Sequence, residues 1–75
     1  MSPAPLPVTS GAKVMRALET IEFVHVSTRG DHAKLRRTSD RRTVIVPLHK
    51  ELKRGTLASI LRQCGLTTEE LRSLL

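Results

Sequence analysis

Tryptophan and tyrosine are absent from this chain of 75 residues, and phenylalanine occurs once, at Phe23. Sheets that read single-stranded bases stack them on several aromatic side chains, so base-by-base readout is disfavoured here and recognition by charge and shape is the better expectation. A lone cysteine, Cys64, rules out an intramolecular disulfide and fits a reducing compartment. No apolar run approaches the length of a membrane span, so no membrane partner is expected. His25, His32 and His49 lack short metal-ligand spacing, and no cysteine pair, EF-hand loop, phosphate-loop or dinucleotide glycine pattern occurs, so neither a metal nor a cofactor is expected. The opening MSPAPLPVTS has no basic segment followed by an apolar core and reads as a flexible, proline-stiffened leader over residues 1–9 rather than a signal peptide. Acidic residues are the scarcest charge, 7 against 13 lysines and arginines. The formal net charge of +6 favours a polyanionic partner. A chain this short forms one domain with a modest core, so any chemistry belongs on an open face.

What remains is a clear alternation of patterns. Ser10 is a plausible cap, and Val14, Ala17, Leu18 and Ile21 recur at helical spacing through GAKVMRALETI. FVHVST, HAKLRR and RTVIVP are short, alternating or β-branched runs separated by the turn-like RGD and TSDR, which predicts a three-stranded antiparallel meander. Helical periodicity returns in ELKRGTLASILRQCG through Leu57, Ile60 and Leu61, with Gly65 as a stop. Thr67 and Glu70 form a capping-box pattern before LRSLL, predicting a short last helix. The fold class expected is α+β, with helices packed on one face of the sheet.

A two-residue turn at Arg29-Gly30 would set Ser27 opposite His32 and His25 opposite Lys34. Val24, Val26, Ala33 and Leu35 would then face the helices together with Val44 and Val46. The opposite face would gather His25, Ser27, His32, Lys34, Arg36 and Thr43, with Ile45 outward against the pattern and Phe23 unassigned.

The order SGAKVMRAL, RGDHAKL, RRTVIVPLH, ELKRGTLASILRQCGLT and EELRSLL resembles the HicA toxin family of bacterial toxin–antitoxin systems from Ser10 to Leu75. Its most specific parts are Gly30-Asp31-His32, in place of the family's Gly-x-His, the VPLH of Val46 to His49, and GTLASILRQCGLT. The resemblance implies a type II toxin that is a small, metal-independent endoribonuclease cleaving messenger RNA in the cytoplasm. It further implies a double-stranded-RNA-binding-domain-like α-β-β-β-α fold over residues 10–75, and inhibition by a HicB-type antitoxin. By motif position, His32 corresponds to the family's catalytic histidine. Two departures stand out. Many members have Gly-Ser-His where this chain has Gly-Asp-His, placing the carboxylate of Asp31 beside the imidazole. Many have Gly-Phe where this chain has Glu22-Phe23, from which a different exit from the first helix is expected.

The chemistry needs few groups, because an RNA strand carries its own nucleophile in the 2′-hydroxyl beside each phosphate. One histidine acting as base or acid, with cations to hold phosphate, is enough in principle. Lys34 and Arg36 follow His32 at two and four residues along one strand face. Lys50, Lys53 and Arg54 approach a helix whose first N–H groups, near Gly55 and Thr56, attract phosphate. His49 reads as a loop histidine, His25 as a surface neighbour, and Cys64 as a core residue rather than a nucleophile. A non-catalytic RNA-binding module and a basic protein-interaction domain are the alternatives, since the fold alone permits all three.

Overall fold

The computed structural model describes residues 6–75. Residues 1–5 of the expected leader lie outside that range. Within it, Leu6 packs against the core, Thr9 is buried, and the Thr9 carbonyl accepts a hydrogen bond from the Leu52 N–H at 2.9 Å.

The order of elements follows from local signals. Helix α1 (Gly11–Glu19) begins where the Ser10 side chain accepts from the Lys13 N–H, satisfying one of the donors a helix start leaves unpaired. Strands β1 (Phe23–Arg29), β2 (His32–Arg37) and β3 (Thr43–Pro47) form one antiparallel sheet in the order β1-β2-β3. Helix α2 (Arg54–Cys64) ends at Gly65, whose φ of +73° is the left-handed conformation that lets its N–H return to the Leu61 carbonyl. Helix α3 (Thr68–Leu74) opens on the full capping box between Thr67 and Glu70. The fold is therefore α+β, α-β-β-β-α with a short additional helix.

One face of the sheet is dry. Ala33 and Leu35 from β2, Val44 and Val46 from β3, and Val14 and Leu18 from α1 are fully buried, and Leu57, Ile60, Cys64 and Leu71 from α2 and α3 complete the core. Burial pushes the Cys64 thiol up to about 11, with Arg37 and Arg42 pulling against it, so it is a packing group rather than a thiolate. The outer edge of β3 is also covered: the Ile45 N–H donates to Oε1 of Gln63 on α2 at 3.1 Å, and Arg42 donates to the Gln63 carbonyl.

Strand β1 departs from the expected register. The turn is Gly30-Asp31, with Gly30 at φ +57°, the conformation that a tight hairpin reserves for glycine at this place. Arg29 therefore faces His32, Ser27 faces Lys34, and a bulge between His25 and Ser27 brings His25 opposite Leu35. The extra residue, Val26, reverses the alternation beyond it. Phe23 turns into the core, 2% exposed, and Val24 and Val26 turn outward, 57% and 49% exposed. The single aromatic ring offers more apolar area to the core than either valine, which favours the bulged register. The guanidinium of Arg37, paired with Asp40 at 2.7 Å, closes over the Phe23 ring at 5.0 Å from its centre.

The exit from α1 passes through Glu22 at φ +74°, the left-handed region that favours glycine and that a glutamate side chain makes strained.

Candidate active site

The tip of the first hairpin and the segment after β3 meet at one carboxylate. Asp31 occupies the second turn position, and its Oδ1 is 2.8 Å from Nδ1 of His32, the next residue. Its Oδ2 is 2.8 Å from Nε2 of His49, far along the chain. The backbone holds this junction independently. The Leu48 N–H donates to the Asp31 carbonyl at 2.6 Å, and the Gly11 N–H, at the start of α1, donates to the His49 carbonyl at 2.9 Å. Gly11 allows that approach because a Cβ there would meet the Pro47 carbonyl oxygen and stand 2.9 Å from Leu48 Cα.

The two imidazoles are close but not stacked. Their centroids are 6.5 Å apart with ring planes at 74°. All three side chains are open to solvent, at 55%, 55% and 53% exposed for Asp31, His32 and His49. The hydrogen bond from His49 does most to hold the Asp31 carboxyl below its usual range; desolvation opposes it, and the neighbouring His32 adds to the lowering. An ionised carboxylate only accepts, so the facing nitrogens, Nδ1 of His32 and Nε2 of His49, each carry a hydrogen. The nitrogens left to gain or lose a proton are Nε2 of His32 and Nδ1 of His49.

Around His32 the exposed face of the sheet is basic. Ser27, Arg29, His32, Lys34 and Ile45 line a shallow cleft of about 390 Å³. Lys34 is half-buried in it, and Arg36, next along the same face, donates to Thr43 Oγ1 at 3.5 Å. Further along lies a larger groove lined by the apolar Val24 and Val26, the cationic Arg36 and Arg41, and Thr38 and Thr43. The expected grouping of His32, Lys34, Arg36 and Thr43 on one face is present, with Ser27 among them. His25 is not: opposite Leu35, it turns to the helix side beyond the helices' cover and hydrogen-bonds Thr28 Oγ1 at 2.6 Å.

Lys50, Lys53 and Arg54 are all exposed. Lys50 directly follows His49. Lys53 precedes α2 in an extended conformation and provides no side-chain cap, so the first amides of α2 have no side-chain partner from that residue. Among the described residues no group of three or more His, Cys, Asp or Glu side chains is arranged to hold a metal ion. No described helix is long and apolar enough to cross a membrane.

Nothing in the sequence connects His49, in its loop, with His32, and the expected Arg29-Gly30 turn leaves Arg29 out of the ladder, whereas the observed turn sets it directly across from His32. The Gly-Asp pair was the available signal, since such pairs favour the turn positions themselves.

Residues 11–66 match the family model described as the HicA toxin of bacterial toxin–antitoxin systems. The chain belongs to the HicA toxin family. Membership carries the role of toxin and implies a partner antitoxin. No curated protein matches the chain closely enough to add to this. In this HicA chain the Gly-x-His element forms the hairpin tip and the first residue of β2, and the VPLH element brings its last residue to the same carboxylate.

Proposed function

We propose that this toxin is a metal-independent endoribonuclease that cleaves messenger RNA in the cytoplasm, with His32 as its proton-transfer group. The observation that carries the reading is the setting of His32: exposed, held at Nδ1 by Asp31, and lining a cleft with Arg29 and Lys34. A neutral imidazole so held can take the proton of a ribose 2′-hydroxyl as that oxygen attacks the adjacent phosphorus. Cations beside it counter the charge that builds on the phosphoryl oxygens. Lys34 and Arg36 hold phosphates on the sheet face, and Lys50, Lys53 and Arg54 hold others at the approach to α2, a basic track that follows the RNA backbone without reading bases. The near absence of aromatic side chains supports that mode.

The partner is a HicB-like antitoxin of acidic character that covers the exposed sheet face. The groove that Val24 and Val26 line together with Arg36 and Arg41 suits branched apolar side chains flanked by carboxylates.

The test is direct. Purified protein should cut RNA in excess chelator, leaving a 2′,3′-cyclic phosphate on the upstream fragment, and a 2′-deoxy substitution at the cleaved nucleotide should stop it. His32→Ala should abolish cleavage and growth inhibition while retaining RNA binding. Cleavage of the deoxy substrate, or a requirement for added divalent metal, would assign the attack to water or a metal-bound hydroxide. Salt-sensitive RNA binding without cleavage would make the chain a non-catalytic binding module.

A further inference from the structure

We infer that His49 is a second catalytic residue, the proton-transfer partner of His32, and that Asp31 is the positioning residue that holds both rings. The inference rests on the ribonuclease reading and deepens it, since that reading uses one histidine and leaves the opposite proton transfer without a group.

Three observations converge. Each oxygen of Asp31 faces one ring at 2.8 Å, so a single carboxylate fixes the orientation of both imidazoles and leaves each with one free nitrogen. The ring centroids are 6.5 Å apart, so both imidazoles lie within the span of one bound phosphodiester. The segment carrying His49 is fixed by two backbone hydrogen bonds, from Leu48 to Asp31 and from Gly11 to His49, rather than left as a free loop. Two acid–base groups with a shared carboxylate also balance charge: one protonated ring, one neutral ring and one carboxylate sum to zero, leaving the flanking Arg29 and Lys34 to meet the phosphate.

The step is a transesterification. The neutral ring takes the 2′-hydroxyl proton as O2′ bonds to phosphorus. The P–O5′ bond breaks, and the departing 5′-oxygen takes a proton from the protonated ring. The products are a 2′,3′-cyclic phosphate and a 5′-hydroxyl, and the pair ends with its proton moved from one ring to the other. No oxidant, metal or water enters.

His32→Asn and His49→Gln test this, because the asparagine and glutamine amide nitrogens stand near the Nδ1 and Nε2 positions that face Asp31 and can still donate to it but cannot transfer a proton. Each variant and the wild type are assayed on an ordinary RNA and on the same RNA with sulfur in place of the 5′-bridging oxygen at the cleaved bond. A thiolate leaves without protonation, so only loss of the acid is rescued. The expected result is that His49→Gln slows cleavage of the ordinary RNA by about 100-fold or more, and that the sulfur substrate restores one of the two variants at least ~10-fold and not the other. The variant that is restored names the acid.

His49→Gln within about threefold of wild type on ordinary RNA, or both variants equally slow on both substrates, would overturn the pair, because a merely positioning histidine does not distinguish leaving groups. The ¹⁵N shifts of the wild-type imidazoles give a check independent of activity. His32 should be mainly in the Nδ1–H form and revert toward Nε2–H in Asp31→Ala, while His25, bonded to Thr28, does not change. An Nε2–H His32 in the wild type would equally overturn the arrangement. A wild-type chain that cuts no RNA defeats the ribonuclease reading and the pair with it. A chain that cuts, loses activity in His32→Asn and keeps it in His49→Gln defeats the pair alone.

Discussion

Gly11→Ala should be among the most damaging single-methyl changes available to this chain. The added Cβ would collide with the Pro47 carbonyl oxygen and stand 2.8 Å from the Pro47 carbonyl carbon and 2.9 Å from Leu48 Cα. Carbon contacts are comfortable at about 3.5 Å, so the backbone of one segment must move by more than ~0.5 Å. None of the obstructing atoms belongs to a side chain that can swing aside. Overpacking of this kind costs about 1–3 kcal/mol, and losing the hydrogen bond from Gly11 to the His49 carbonyl adds about 1 kcal/mol. The gain in helix propensity returns less than ~1 kcal/mol. The net of roughly 2–3 kcal/mol lowers the melting temperature of a domain this size by roughly 10–20 °C. Thermal melts followed by far-ultraviolet circular dichroism measure it directly. Gly55→Ala is the control, since a Cβ there meets nothing within 4 Å and alanine is the better helix former. If Gly11→Ala melted within about 3 °C of wild type, the claim that this glycine clamps the His49 segment to α1 would fail. If both substitutions shifted stability alike, the effect would be one of helix propensity and not of space.

Three further outcomes follow from single features. Glu22→Gly should stabilise the fold by about 0.5–1 kcal/mol in denaturant melts, because Glu22 holds φ +74° with an exposed side chain; a loss of stability would show that its carboxylate matters more than its backbone. Hydrogen bonding to Arg37, and less so to the Arg42 N–H, holds the Asp40 carboxyl well below its usual range. Its folded pKa lies below its unfolded value, so its stabilising effect is complete above about pH 4 and fades as the pH falls further. Asp40→Asn should therefore lower the melting temperature at pH 7 and flatten its acid limb, and an unchanged limb would remove Asp40 from the acid response. Lys34→Ala with Arg36→Ala should weaken RNA binding about equally across sequences and reduce the slope of log affinity against log salt by about 1–2; an unchanged slope would shift the binding surface to Lys50, Lys53 and Arg54.

Most of the architecture was legible because its signals are local. Ser10, Gly65 and the Thr67–Glu70 box act within one helical turn, and each occupies the predicted place. The inward residues of β2 and β3 were also legible, because simple alternation holds there from Ala33 to Leu35 and from Val44 to Val46. Strand β1 was not. Alternation of Val24 and Val26 pointed them inward, but a bulge is a tertiary choice: one residue is taken out of the ladder so that Phe23 reaches the core. That choice leaves no mark at the level of apolar and polar pattern, and it turned His25 to the helix side as it turned the valines outward.

The site divides along the same line. His32, Lys34 and Arg36 share a face because residues two apart on a regular strand must, so their grouping required only that β2 be a strand. The link from His32 through Asp31 to His49 required three facts at once: the turn residues, the path of the chain after Pro47, and the approach of α1 to that path at Gly11. Only the first has a sequence signal. The consequence bears on how Asp31 is to be read. Beside His32 alone, a carboxylate is a local modifier of one imidazole. Facing His32 through Oδ1 and His49 through Oδ2, it ties together groups that are remote in sequence, so its effect cannot be assigned to either ring separately. Removal of Asp31 should then change both histidines together, whereas a change at either histidine leaves the other still held.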